Sequence, residues 1–295
     1  MRRELLFTAL TAALLATGLA SNAAVAEPVV VAKLRPWTGV IGVEKRLQLA
    51  DFAAGLPSLA PDAVKKRLSG VQVLECRNIR ITALIVGAPD IVVTAAHAWF
   101  DRSGYRKPTT ACGIVVHQDG YTRIHPIKIN SVVTGDFRYG PIEINSPQDW
   151  AVMRLQTPVQ GIEPFALPPE DWAGLKDDEA VVLATGPQIN FPVQTNATRL
   201  AETCAIRRVI DHGRGPALIK TDCDTGIGAS GGAYLANLAT GKPVLVGLQS
   251  ANRGETGCEG YDEKLCFALG VPIAGKLRDA IAQRIAETYT TSAER

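Results

Sequence analysis

Between Val71 and Gln249 the chain is a succession of short β-branched runs separated by turn residues, and this pattern limits the fold more than any other feature. Val71-Gln72-Val73-Leu74, Ile79 to Val86 and Ile91-Val92-Val93 come first, with Gly87-Ala88-Pro89-Asp90 as a turn between the last two. Gly113 to Val116, Arg123 to Val133 and Trp150 to Leu155 follow. A Pro-rich connector, Thr157 to Pro169, leads to Ala180 to Ala184, Thr198 to Ile210, Leu218 to Lys220, Tyr234-Leu235 and Val244 to Gln249. Short strands with frequent turns and no helices between them predict a β-barrel or sandwich, and the connector divides it into two halves. The end of the chain differs. From Val271 to Thr288 the apolar residues Ile273, Leu277, Ile281 and Ile285 stand four apart, which predicts a helix laying one stripe on the barrels. Pro61 to Leu68, with Pro near its start and Gly70 at its end, predicts a shorter helix.

The first 26 residues have the form of a signal peptide: Arg2-Arg3, an apolar run from Leu5 to Leu19, and Ala24-Val25-Ala26 as a cleavage site. Residues 27–69 are then a strap on the domain or a pro-segment. The expected boundaries are 70–165 for the first barrel, 166–270 for the second and 271–295 for the terminal helix. A net charge of +2 gives no basis for binding nucleic acid or an anionic membrane, and no membrane span is expected after signal cleavage. Six cysteines in an exported chain point to disulfides, and the local pairing Cys76–Cys112, Cys204–Cys223, Cys258–Cys266 is preferred among those possible. A zinc site is disfavoured, because there is no Cys-x-x-Cys and the histidines stand apart from the cysteines.

Chemistry concentrates in three fragments. Cys223 to Tyr234 holds Ser230 among Gly226, Gly228, Gly231 and Gly232. Glycines let consecutive N–H groups converge on one point, so the N–H groups of Gly228 and Ser230 are a candidate oxyanion hole beside a candidate nucleophile. Taken alone, the stretch reads sooner as a Gly/Ser-rich hairpin turn, and the rest of the chain has to decide. In Ile91 to Trp99, a β-branched strand runs into small residues and then His97, a candidate general base at a strand end. His117, His125 and His212 lie in turn-like surroundings and are expected to be structural. Asp149 stands directly before the apolar strand Trp150 to Leu155, where holding the Nδ1–H of a histidine would satisfy its charge. Asp136 is a weaker rival, since no buried strand follows it.

Together, Thr94-Ala95-Ala96-His97, Asp149-Trp150-Ala151-Val152-x-x-Leu155 and Gly228-x-Ser230-Gly231-Gly232 resemble the trypsin-like serine endopeptidases of the chymotrypsin fold. The lead-in Cys223-Asp224-Thr225 is similar to the bacterial secreted branch related to the glutamyl endopeptidases. The spacings of 52 and 81 residues suit two barrels, and the resemblance spans about residues 70 to 288. It implies an all-β protein of two six-stranded antiparallel β-barrels with a C-terminal α-helix. It also implies Ser230 as nucleophile, His97 as general acid/base, Asp149 as orienter, a polypeptide substrate, and no cofactor or metal. A secreted or periplasmic monomer is expected. An α/β-hydrolase is disfavoured because no histidine follows Ser230.

The departures are specific. Ala229 stands where animal trypsins carry an aspartate that pairs with a new N-terminus, so activation through Val40-Ile41-Gly42-Val43 is not expected. Ala98 replaces the cysteine usual after the histidine, and Ala233 replaces a common proline. The resemblance assigns the substrate pocket to Asp224, Thr225, Gln249, Ser250, Ala251 and Asn252, with Arg253 within reach. Asp224 at that place would favour a basic side chain, although the same Asp-Thr pair occurs in the glutamyl branch without setting that preference. Gln249 stands where that branch carries a histidine, which disfavours glutamate. A binding module on the same fold, without turnover, is the alternative from another class.

Overall fold

The computed structural model describes residues 40–76, 79–100, 112–118, 121–169, 174–188, 191, 195, 197–211, 216–254 and 258–293. The expected signal peptide, the first part of the expected strap and His212 lie outside them.

The described chain opens with β1 (Leu47–Gln48), α1 (Leu49–Ala54) and α2 (Pro61–Arg67). Seven antiparallel strands follow: β2 (Val71–Cys76), β3 (Ile79–Ile85), β4 (Ile91–Thr94), β5 (Cys112–Gln118), β6 (Tyr121–Pro126), β7 (Val133–Thr134) and β8 (Ala151–Arg154). They form one sheet in the order β6-β5-β2-β3-β4-β8-β7, with a short helix, α3 (Ile142–Asn145), between β7 and β8. A single bridge, Ile127 to Leu155, brings the end of β6 against the end of β8. The run Arg123 to Val133, expected as one strand, is instead β6, a 3₁₀ turn and β7, because after Ile127 N–H reaches Cys112 O the chain leaves β5 for β8, with Lys128 N–H on Arg154 O and Val133 opposite Val152.

The second half contributes β9 (Glu179–Thr185), β10 (Leu200–Asp211), β11 (Pro216–Thr221), β12 (Ala233–Ala236), β13 (Val244–Arg253) and β14 (Phe267–Pro272). The order is β1-β10-β11-β14-β13-β12-β9, and β9 pairs back onto β10. This closes a six-stranded antiparallel barrel, with β1 from the N-terminal segment added beside Leu200 and Ala201. The helix expected from Val271 begins later. Phe267 to Pro272 is β14, held by pairing with β13 and β11, and α4 runs over Gly275–Ala293. Here the partner strands outweigh the helical spacing, which starts only at Ile273.

The strands are apolar on both faces because each face packs on something. Along β4, Val92 points into the first sheet's own core, whereas Ile91 and Val93 join a second cluster between the two sheets. In β12, Tyr234 enters the closed barrel, whereas Ala233 and Leu235 face the shared cluster. Phe52 of α1, Val64 of α2, and Leu277 and Ile281 of α4 complete that cluster. Continuous β-branched runs follow from burial on both sides. The sheets are also joined by polar contacts. Arg199 donates from Nε to Val71 O at 2.9 Å and from Nη2 to Gln72 Oε1 at 3.1 Å. Its burial lowers the guanidinium to about 10.

The three disulfides are Cys76–Cys112, Cys204–Cys223 and Cys258–Cys266, as preferred from the sequence. No helix among the described residues is long and apolar enough to cross a membrane.

Helix α4 meets the first sheet at the β3–β4 turn. Gly87 has φ +70°, and a Cβ there would stand 2.2 Å from Ile285 Cδ1. Gly87→Val combines a disfavoured left-handed backbone with a clash, so a loss of about 1–2 kcal/mol or more is expected. A thermal melt checks this; an unchanged midpoint would show that α4 does not dock there.

Candidate active site

His97 lies in a 3₁₀ turn, Ala96–Ala98, directly after β4. The buried alanines on either side let the turn sit against the strand while the His97 side chain remains 24% exposed. Asp149 follows a second 3₁₀ turn, Ser146–Gln148, and precedes β8. The antiparallel pairing of β4 with β8 places Thr94 opposite Ala151 and so brings the two turns together.

The Asp149 carboxylate is buried and fully engaged. Oδ1 accepts the His97 backbone N–H at 2.8 Å. Oδ2 stands 2.8 Å from His97 Nδ1 and accepts Ser250 Oγ–H at 2.6 Å. An ionised carboxylate only accepts, so Nδ1 carries the proton and Nε2 is left as the basic nitrogen. Ser250 arrives through a β-bulge. Gln249 pairs with Gly270 and Ala251 with Leu269, so Ser250 is skipped, and the bulge turns its hydroxyl to Asp149. A cluster of aromatic rings flanks the imidazole: Phe137 lies 6.0 Å from it, and Tyr139 meets Phe137 edge-on at 5.2 Å.

Ser230 sits on the loop between β11 and β12. Gly228 has φ +106° and Gly231 +79°, both requiring glycine, and each also meets backbone closely. A Cβ on Gly228 would stand 2.2 Å from Pro187 O, and one on Gly231 2.2 Å from Thr82 O. The N–H groups of Ala229, Gly231 and Gly232 donate to Gly226 O, Gln249 O and Ala229 O at 2.7–2.9 Å. Those of Gly228 and Ser230 have no partner among the described residues, and neither has Ser230 Oγ.

Ala229 is buried, so no carboxylate supports this loop from within. Thr82 of β3 does so from the other sheet. Its Oγ1 donates to Gly228 O at 2.8 Å and accepts the Gly186 N–H at 2.9 Å. Its backbone N–H lies 2.9 Å from Ser230 O and 3.1 Å from Gly228 O.

A cleft of about 390 Å³ contains His97, Asp149 and Ser230 in its lining. Gly228, Thr225, Gln249, Ser250, Ala251 and Asn252 line it as well. Asp224 does not, which corrects its expected place in the pocket. It is fully buried, with Oδ1 and Oδ2 accepting the backbone N–H groups of Ile41 and Lys45 at 2.7 Å each. Gln249 is also committed, accepting from Tyr234 OH and donating to Ala251 O. Asp136 is exposed and outside the lining, and His125 lines a separate cavity.

Thr82, Phe137 and Tyr139 gave no local signal, whereas Glu202 stands directly after the apolar pair Leu200-Ala201 in the strand run Thr198 to Ile210. Glu202 Oε1 accepts the Asp224 N–H at 2.7 Å, and Oε2 is buried without a partner among the described residues. Burial, then the nearby Asp224 charge, pushes its carboxyl well above the usual range.

The chain is similar to a solved structure of Glu endopeptidase in complex with MPD. The match has 15% identity and a TM-score of 0.55, and covers 84% of this chain and 99% of that one. This likeness shows the fold: a closed six-stranded barrel, a second sheet and a C-terminal helix, arranged as in the chymotrypsin-like proteins. No protein-family model matches the chain, and no curated protein matches it in sequence.

Thr82→Val removes the donor to Gly228 O and strands the buried Gly186 N–H. A loss of about 1–3 kcal/mol is expected, with Thr82→Ser restoring most of it; equal melts for all three proteins would refute the joint. Glu202 supplies a pH dependence. Its folded pKa is raised, so the stability tied to its neutral form is present at low pH and lost as pH rises. Above the usual carboxylate range the unfolding free energy should decline by up to about 1.4 kcal/mol per pH unit for this proton. Asp224, raised mainly by burial, adds a slope of the same sign. Denaturant titrations across pH should show a shallower decline in Glu202→Gln.

Proposed function

We propose that the protein is an exported serine endopeptidase working through an acyl-enzyme. The observation that carries this is the Asp149 carboxylate, which accepts the His97 N–H, the His97 Nδ1–H and the Ser250 hydroxyl in the cleft that also holds Ser230. In this reading Ser230 Oγ attacks the scissile carbonyl carbon while His97 Nε2 takes its proton. The carbonyl oxygen becomes an oxyanion that accepts the N–H groups of Gly228 and Ser230, which have no other partner among the described residues. His97 then gives the proton to the leaving amine, and the C–N bond breaks. Water attacks the ester, again losing its proton to His97, and Ser230 leaves as the restored hydroxyl. Asp149 keeps the tautomer and stabilises the imidazolium, with Ser250 fixing its second oxygen. The substrate is a polypeptide, and the protein acts as a monomer. Three disulfides suit an oxidising compartment, secreted or periplasmic. The two lobes proposed are residues 70–165 and 166–270.

One observation favours an inert binding module: Ser230 Oγ makes no hydrogen bond among the described residues. In ligand-free sites such bonds are often loose and close in the complex. Labelling with a fluorophosphonate separates the two, since an inert serine does not react.

Ser230→Ala and His97→Ala should each lower peptide hydrolysis by about 10³-fold or more with an unchanged melt, and Asp149→Asn by about 10⁴-fold. The wild-type rate should fall on the acid side with a slope of one proton, as the base takes up its proton. Full activity in Ser230→Ala would end the proposal.

A further inference from the structure

Six residues before Ser230, a carboxylate at the wall of the cleft would draw a cationic side chain. Asp224 is not available for that. Besides the N–H groups of Ile41 and Lys45, Lys45 Nζ lies 3.5 Å from Oδ1 and donates to Asp222 O at 2.7 Å. The next residue of the same segment, Arg46, is buried. It forms a two-pronged pair with Glu44 and donates from Nη1 to Gln188 Oε1 at 2.5 Å. This segment backs the nucleophile loop, because a Cβ on Gly226 would touch Gln188 Oε1 and Arg46 Nη1 at 3.0 and 3.1 Å. The carboxylate therefore fastens residues 41–48 beneath the loop.

What remains on the two walls is uncharged. One wall is Thr225, Gly226 and Ile227; the other is Gln249, Ser250, Ala251 and Asn252. Asn252 Nδ2 reaches to within 3.5 Å of Thr225 O, which links the walls. The Gln249 amide is held by Tyr234 OH and Ala251 O. Thr225 differs from its neighbours. It is 2% exposed, it lines the cleft, and its Oγ1 has no hydrogen-bond partner among the described residues. A buried hydroxyl without a partner favours a ligand that supplies one. A charged side chain would enter with no counter-charge on either wall and would lose its hydration. Arg138, the remaining cation in the lining, stands between Phe137 and Tyr139 on the His97 side.

We infer that the pocket selects an uncharged, hydrogen-bonding side chain on the residue preceding the scissile bond, with Thr225 Oγ1 as its partner, and that Asp224 is a positioning residue for the segment Ile41–Gln48. This rests on the hydrolytic reading for the bond cleaved, but the pocket can be tested separately.

The experiment uses peptide anilides that differ only at that residue: Thr, Gln, Val, Arg and Glu. In kcat/KM, Thr and Gln should exceed Arg and Glu by about 10-fold or more, and Thr should exceed its isostere Val by about 3- to 10-fold. Thr225→Val should bring the Thr-to-Val ratio to about one. Asp224→Asn should keep the order of the five and lower kcat more than KM, since it acts on the loop and not on the side chain bound. Arg ranking first, or Asp224→Asn reordering the series, overturns the inference while leaving the hydrolase standing. Calorimetry of Ser230→Ala with peptides ending in the same five residues gives the independent arm. The same order there without any turnover by the wild type upholds the pocket and ends the hydrolytic reading. Equal affinity for all five overturns the pocket.

Discussion

The Thr82 hydroxyl is the contact on which the site geometry depends. A serine, a histidine and an aspartate drawn from two sheets act together only if the sheets are fixed to within a fraction of an ångström. Apolar packing between the sheets sets their distance, but it is non-directional and tolerates sliding. Thr82 supplies direction. One side chain from β3 holds Gly228 O and receives Gly186 N–H, and the adjoining backbone N–H points at Ser230 O and Gly228 O. Gly231 must be glycine partly because this approach leaves no room for a Cβ, which would stand 2.2 Å from Thr82 O, and at Gly228 the backbone of Pro187 excludes one in the same way. The support that Ala229 cannot give from within the loop thus comes from the opposite sheet.

Three buried carboxylates near the cleft show how surroundings decide what the same group does. Asp149 takes three donors, so each of its oxygens is satisfied and it can orient an imidazole. Asp224 takes two backbone N–H groups and faces an ammonium, so it acts as a tether. Glu202 takes one donor and leaves Oε2 bare, so burial favours its protonated form. Only the first arrangement has its donors arriving from both halves of the molecule. The bulge at Ser250 makes that possible, because a regular β13 would have kept Ser250 in register with β14.

The parts visible in the sequence are those whose physics is local. A β-branched run ending in Ala95-Ala96-His97 carries its strand, its turn and its side chain within a few residues, and so does Asp149 before Trp150. The apolar stripe of α4 is equally local, although the residues preceding it belong to β14 because their partners lie far away in the chain. Thr82 was illegible for the same reason: Gly228 is 146 residues away. Asp224 misled because its carboxylate is held by backbone N–H groups, and a backbone donor looks identical at every position except proline. No side-chain pattern in Ile41 to Lys45 could announce that it would hold an acid 183 residues further on.

That backbone origin has a consequence for how the site is assembled. A carboxylate held by a chain terminus needs a cut to create the ammonium, so the site would form only after cleavage. Asp224 is held by the amides of Ile41 and Lys45, and Ile41 N–H is already a donor with Val40 still attached. Its fastening therefore comes with folding and needs no new terminus. The same segment adds β1 to the closed barrel, sends Gly42 N–H to Cys258 O, and carries Arg46 to Gln188. Each of these contacts reaches a different piece of the second half, so residues 41–48 behave as part of that half. A maturation cut between Ile41 and Lys45 would remove one backbone donor of a buried carboxylate and a cut beyond Lys45 both, which is far costlier than losing an exposed strap. The part of residues 27–69 that can be shed as a pro-segment therefore ends before Ile41.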